Sequence, residues 1–220
     1  NYHHAFFNST AARAVSNFTE NKYGFEIQQN WKLDDSNSIT GGFDFYDSSV
    51  DNAILYGDGE KSDNNKAVYF EERWQFAKSW QLNSGIRYDK HSRYGSEFTP
   101  HFALNKKMSE DSNAYISWGK VFNAPTTDNL YTTGWMLGNP NLKAETGDVL
   151  TLGINQKVSD GTNLSASVFS SKINDAIDWQ PTNPDDPDNA PWQVMNVDSE
   201  KRRGMEVSID HSFDDNWTAN

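Results

Sequence analysis

Apolar residues fall on every second position along most of this chain. In "YGFEIQQNW", Tyr23, Phe25, Ile27 and Trp31 share one face while Gly24, Glu26, Gln28 and Asn30 share the other. "SITGGFDFY" sets Ile39, Phe43 and Phe45 against Thr40, Gly42 and Asp44, and "WQLNSGIRYD" sets Trp80, Leu82, Ile86 and Tyr88 against Gln81, Asn83, Arg87 and Asp89. The same alternation runs through "FTPHFALN", "NLSASV", "GMEVSIDHSF" and the stretch holding Leu150, Leu152 and Ile154. With "AVYFEERWQFA" and "NAYISWGKVF" the pattern predicts about nine strands, and helical periodicity is nearly absent. Two strands are imperfect: Glu72 interrupts the apolar face of one, and both faces of the "AYISWGKVF" strand carry apolar residues. Pro100 also removes a ladder donor in mid-run. Residues 1 to 20 predict only a partial strand and a loop.

The connections have a polarity of their own. Tight ones at 33–38, 78–80, 106–112, 159–162 and 214–216 alternate with long ones at 47–64, 122–145 and 174–197, the exception being a short link at Arg93 to Ser96. If successive strands run antiparallel, every tight turn lies at one end and every long loop at the other, as in bacterial transmembrane β-barrels. Strands of roughly 9 to 14 residues suit a tilted crossing of hydrocarbon better than the shorter strands of soluble sheets. Aromatic residues near strand ends (Tyr23, Trp31, Trp80, Tyr88, Trp118, Phe213) fit interfacial girdles. The expected fold is therefore all-β, an antiparallel barrel segment with an oily outer and a wet inner face. A soluble β-sandwich or solenoid is the alternative.

Composition sharpens this picture. The 220 residues carry 31 acidic against 19 basic side chains, a net charge of −12, which speaks against a nucleic-acid partner. Aromatics reach 14% while mean hydropathy is −0.83, an odd mixture for a soluble core but natural for a barrel with a polar lumen. With no cysteine there is neither a disulfide nor a thiolate metal site. No nucleophile elbow, phosphate loop or metal-ligand cluster stands out, so no enzyme, metal or cofactor is expected. The chain begins at Asn1 without Met, carries no leader and stops at "DDNWTAN". It is expected to be a piece of a longer protein, with residues 1–220 a partial β-barrel domain.

Two segments go beyond pattern. "GKVFNAPTTDNLY" followed by "GNPNLKAET" resembles the paired boxes of TonB-dependent outer-membrane receptors. In that family a strand ending in an aromatic, a basic residue, Ala and Pro leads into an extracellular loop, which closes with Asn-Pro-Asn-Leu and an acidic residue. The matching positions are Phe122, Ala124, Pro125, Asn139, Pro140, Asn141, Leu142 and Glu145. Asn123 departs from the family's Arg or Lys and puts in doubt a charge contact that orients the loop or meets lipopolysaccharide. The resemblance extends over about residues 65–215. It implies a middle portion, some nine or ten strands, of a barrel of about 22 strands whose plug domain and C-terminal strands lie elsewhere. It also implies a place in the bacterial outer membrane among lipid and lipopolysaccharide, and contact with TonB through the plug. The implied function is active import of a scarce nutrient, a ferric siderophore or cobalamin-like ligand, with inner-membrane energy.

Pro125 and Pro140 fix φ and end strands, and Asn139 and Asn141 suit turn closure, so the boxes are expected to be structural. Tyr131, Trp135, Met136, Trp179 and Trp192, all in the long loops, are the expected ligand-contacting residues. No histidine lies between Phe122 and Leu142, and His3 and His4 point to opposite faces of a strand, so haem uptake is disfavoured. "NPDDPDN" offers oxygens to Ca²⁺ but lacks the EF-hand spacing, and a solvated acidic loop is expected. A passive porin or adhesive barrel, or a soluble carbohydrate-binding β domain, are the competing functions. The paired boxes argue against the porin or adhesin, and strand length and loop polarity are features that a soluble domain would not need.

Overall fold

A computed structural model describes residues 2–9, 14–57, 59–213 and 217–219, with side chains described from Thr19 onward. The strands are β1 (Tyr2–Ser9), β2 (Ala14–Lys32), β3 (Asn37–Asp51), β4 (Lys61–Ala77), β5 (Trp80–His91), β6 (Gly95–Lys107), β7 (Ser112–Asn123), β8 (Met136–Leu137), β9 (Glu145–Ser159), β10 (Thr162–Pro181), β11 (Trp192–Ser212) and β12 (Thr218–Ala219). Two short helices, α1 (Ala53–Tyr56) and α2 (Thr127–Tyr131), sit in loops. Apart from β8, the strands follow one another as an antiparallel meander, each bonded to its chain neighbours. Loop polarity is as the sequence predicts, with the tight turns at 33–36, 78–79, 108–111 and 160–161 all at one end.

The register places the apolar residues side by side across the sheet. Phe25 stands opposite Phe45, Phe43 opposite Val68, Phe70 opposite Ile86, and Leu82 opposite Leu104. The row continues through Leu104–Ile116, Ile116–Leu152, Leu152–Val168 and Val168–Met205. Each cross-strand apolar pair adds a few tenths of a kcal/mol, yet Phe25, Ile27, Phe70, Leu152 and Met205 remain exposed. The band is edged at the tight-turn end by Trp31, Trp74, Phe76 and Trp80, with the Lys106 ammonium 4.8 Å from the Trp80 ring. At its other edge Tyr23 lies against Phe45, and Tyr88 against Phe98. No helix among the described residues is long and apolar enough to cross a membrane.

The opposite face is concave. Gln81, Asn105, Asn113, Asn155 and Ser165, from five neighbouring strands, line one polar cavity of about 630 Å³ near the tight turns. Aromatic rings on this face lie over glycines of the facing strand: Tyr69 over Gly42, Tyr115 over Gly153, Phe169 over Gly204. A Cβ on Gly153 would fall 2.4 Å from the Tyr115 ring, so glycine here leaves room for the ring and the ring covers the bare backbone. Tyr115 is thus the second apolar face of β7. The β9–β10 turn relies on Gly161 at φ +83°, followed by a bulge at the Thr162/Asn163 register shift.

Two expectations need correction, and the two irregular positions Glu72 and Pro100 are accounted for. The strands are longer than the pattern indicated, up to 21 residues in β11, and the long loops shrink to 52–60, 124–144 and 182–191. Beyond the apolar band both faces meet water, so alternation fades while the hydrogen-bond ladder continues. Residues 1 to 20 hold β1 and the start of β2 in register, with His3 and His4 in β1; their side chains lie outside the described residues. Glu72 does face outward, between Ile39 and Ser84, but its carboxylate accepts from Asn37 Nδ2 at 2.9 Å. Pro100 has a clear place: β6 pairs with β5 along its length, whereas its ladder to β7 stops at His101–Gly119, one residue short of the proline.

The two faces make opposite demands. In the intact membrane-embedded barrel, Leu152→Arg should cost about 2–4 kcal/mol and Thr151→Arg, one residue away on the concave face, well under half of that. Denaturant unfolding in bilayers checks this.

Candidate functional site

Everything that caps the barrel end opposite the tight turns is tied together. In α2, Thr126 Oγ1 accepts from the Asn129 amide at 3.2 Å and Asn129 Oδ1 accepts from the Thr126 amide at 3.0 Å, a reciprocal cap. The helix drives Leu130 into a small core with Leu142 and Val194, the last fully buried. Gly138 packs on the α2 backbone, where a Cβ would lie 2.5 Å from the Tyr131 nitrogen. Asn139 Oδ1 accepts from the Asn141 amide at 3.0 Å, closing the turn that delivers Leu142 to the core. Pro125 is buried at the end of β7. Of the box residues, Leu142 is thus packed in this core and Asn139 is bonded within its turn.

Glu145 joins the two boxes. One carboxylate oxygen accepts from Asn123 Nδ2 at 2.6 Å and the other from the Ile177 amide on β10 at 2.7 Å. Asn123, where the resemblance leads one to expect Arg or Lys, thus contributes a neutral hydrogen bond. Beside it Asp175 adopts φ +50°, uncommon for a residue other than glycine, and drops out of the β10–β11 register. Asn196 holds that break in the pairing: its amide donates to the carbonyls of Asp175 (2.7 Å) and Lys143 (3.0 Å) and its oxygen accepts from the Lys143 amide (2.8 Å). No sequence signal singles out Asn196, because its partners are 21 and 53 residues away.

The loop residues expected to touch a ligand separate into two groups. Tyr131 and Trp179 pack on the Leu130–Leu142–Val194 core. The Tyr131 hydroxyl accepts from Arg93, and the Lys61 ammonium sits 5.1 Å from its ring. Trp135, Met136 and Trp192 are brought together elsewhere: β8 pairs in parallel with the start of β11, setting Met136 beside Trp192, and the Trp192 amide donates to the Trp135 carbonyl at 2.9 Å. Trp135 and Met136 are exposed, 54% and 38%. Two residues before Trp135, Thr133 donates its amide to the Leu55 carbonyl in α1, and Tyr56 donates to Asp128 at 2.5 Å. Burial and that carboxylate raise the Tyr56 phenol, so it stays a neutral donor; burial likewise pushes Tyr94 in the β5–β6 turn up to about 12. In the 182–191 loop, Asp186 is bonded by Asn189 and Asn183 by the Asp185 amide.

Below this cap, where the β6–β7 ladder has stopped, a cavity of about 500 Å³ opens among Tyr46, Asn65, Arg87, Asp89, Thr99 and Lys120. Arg87 bonds both Asp89 and Asp44 at 2.9 Å, and Asp89 also accepts from Asn65 at 2.7 Å. Lys120 reaches across to Glu97 at 3.0 Å. No group of three metal-ligating side chains occurs among the described residues. The arrangement offers neutralised charge and aromatic surface, which suits binding.

The model of the family described as TonB dependent receptor-like, beta-barrel, matches residues 1–220. The chain belongs to the TonB-dependent receptor β-barrel family. This receptor barrel is 29% identical over 185 residues to the vitamin B12 transporter BtuB of Photobacterium profundum, covering 82% of the chain and 29% of that protein. It is 32% identical over 174 residues to BtuB of Vibrio vulnificus, covering 76% and 27%. Among solved structures it resembles the siderophore receptor PirA from Pseudomonas aeruginosa with a TM-score of 0.73 at 19% identity, over 93% of this chain and 39% of that one. The chain thus spans less than a third of the curated relatives it matches. Those relatives are transporters, and the structural likeness bears out the barrel architecture.

Glu145→Ala strands the Asn123 and Ile177 donors, a loss of about 1–3 kcal/mol locally. Faster proteolysis within 124–144 and faster exchange of the Ile177 amide are expected, with Asn123→Ala milder.

Proposed function

We propose that this chain is the middle of the barrel of an outer-membrane receptor that imports a neutral, cobalamin-like ligand. The plug domain, the TonB contact that delivers inner-membrane energy and the remaining strands belong to other parts of the same protein. The outward apolar band supports residence in the outer membrane.

The observation that carries the choice of ligand is how the cations over the lumen are used. Lys22 and Lys61 lie on tyrosine rings, Arg87 and Lys120 on carboxylates, Arg93 on Tyr131 and the Pro140 carbonyl, Lys143 on Asp175 and Arg202 on Glu200. Among the described residues each of these cations has a partner, four of the seven a carboxylate, which leaves little uncompensated positive charge for an anionic chelate, while Trp135 and Met136 offer polarisable apolar surface beside Trp192. The relatedness to vitamin B12 transporters supports the same choice. A ferric siderophore is the second reading, supported by the likeness to PirA. The competing enzyme, porin and adhesin readings gain no support from the site.

Binding of cyanocobalamin and of a ferric catecholate to the full-length receptor, with growth of a deletion strain on each nutrient, separates the two. Cyanocobalamin should bind tightly, and Trp135→Ala should weaken it roughly tenfold or more, as removal of an aromatic anchor does. Binding of the ferric catecholate alone overturns the cobalamin reading.

A further inference from the structure

Charge on the inward face is sorted by strand. On β7, β9 and β10 every inward position from Asn113, Asn155 and Asn163 up to Val121, Gly147 and Ile173 is uncharged, and so are Ala103 and Asn105 on β6. In a chain whose residues are 23% charged, a stretch of wall this large without a charge is not a consequence of composition. The sector is bounded on both sides: Glu71, Arg73 and Arg87 face inward from β4 and β5, and Glu200, Arg202 and Glu206 from β11. Charge returns below it at the tight turns, where Lys107 bonds Glu110 at 2.7 Å and Lys157 bonds Asp160 at 2.6 Å.

Two rings stand in this sector, Tyr115 and Phe169, and both lie over glycines of a neighbouring strand, so neither projects freely into the lumen. The upper end of the sector lies under the 124–144 loop, which joins β7 to β9. At its foot the carboxamides of Asn105, Asn113 and Asn155 line the polar cavity near the tight turns and make no hydrogen bond to another described residue. Gln81 beside them, by contrast, is bonded to Arg73 and Asn83. Successive inward positions on a strand are about 7 Å apart, so a bulky neutral molecule meets a series of weak hydroxyl and amide contacts with no charge to trap it. Conduction needs that balance, contacts favourable enough to enter and weak enough to leave. We infer that the neutral sector of β6, β7, β9 and β10 is the wall along which the imported ligand passes, with Asn105, Asn113 and Asn155 as its last contacts before the tight-turn end. This rests on the cobalamin-like reading of the ligand. The charged flanks on β4, β5 and β11 hold water and lie off the route.

The test is uptake of radiolabelled cyanocobalamin by cells carrying the full-length receptor, with binding to the same cells giving affinity and receptor number. Thr151→Arg should bind as the wild type does and take up cyanocobalamin roughly tenfold more slowly. Thr151→Gln, long but uncharged, and Thr40→Arg, opposite Glu71 on the charged flank, should both take it up at the wild-type rate. A photo-crosslinking residue in place of Tyr115 should capture the label during uptake, and one in place of Tyr69 on β4 should not. Normal uptake by Thr151→Arg, equal slowing in Thr151→Gln or Thr40→Arg, or capture at Tyr69 instead of Tyr115 overturns the path and leaves the ligand assignment standing. A wild-type receptor that does not bind cyanocobalamin overturns both.

Discussion

A segment that crosses hydrocarbon has no water to satisfy its peptide groups, so each N–H and C=O must be bonded by a neighbouring strand. That constraint accounts for the continuous meander, for strands long enough to carry the ladder past the apolar band, and for the position of Pro100. A missing donor is tolerated only where a ladder stops, and the β6–β7 ladder stops beside it. The open space above this point becomes the inner cavity around Arg87.

The cap is assembled by the same accounting, applied to side chains. β7 leaves the ladder at Asn123, Pro125 follows, and the chain returns through the Asn139 turn to Glu145, whose carboxylate satisfies one donor from each side. The break in pairing at Asp175 frees a carbonyl that Asn196 takes up. Such a chain of bonds fixes loops 52–60, 124–144 and 182–191 relative to one another, so Trp135, Met136 and Trp192 sit on a pre-organised surface. Pre-organisation lowers the ordering cost of capturing a dilute ligand.

Charge is divided between the two faces by the dielectric each meets. Cations over the lumen are paired with carboxylates or rings, and the negative balance of the chain falls on wet turns and loops. Carboxylates are excluded from the band itself except Glu72, which a neighbouring amide covers.

Strand identity, facing and loop polarity were legible because a period of two survives wherever one side of a strand meets oil and the other water. The paired boxes were legible because turn chemistry is local: Asn139 bonds a residue two positions on. Strand ends in β3, β10 and β11 were not, since water on both faces removes the only contrast that a pattern can report. Nor could the sequence decide that Tyr131 and Trp179 pack inward while Trp135 and Met136 stay exposed, as all are aromatic or apolar residues in polar loops. That choice depends on β8 meeting β11 and on Leu130 meeting Val194, contacts between residues more than fifty positions apart. The alternation along the chain determined which solvent each side chain would face; only the folded sheet decided which distant neighbours would share it.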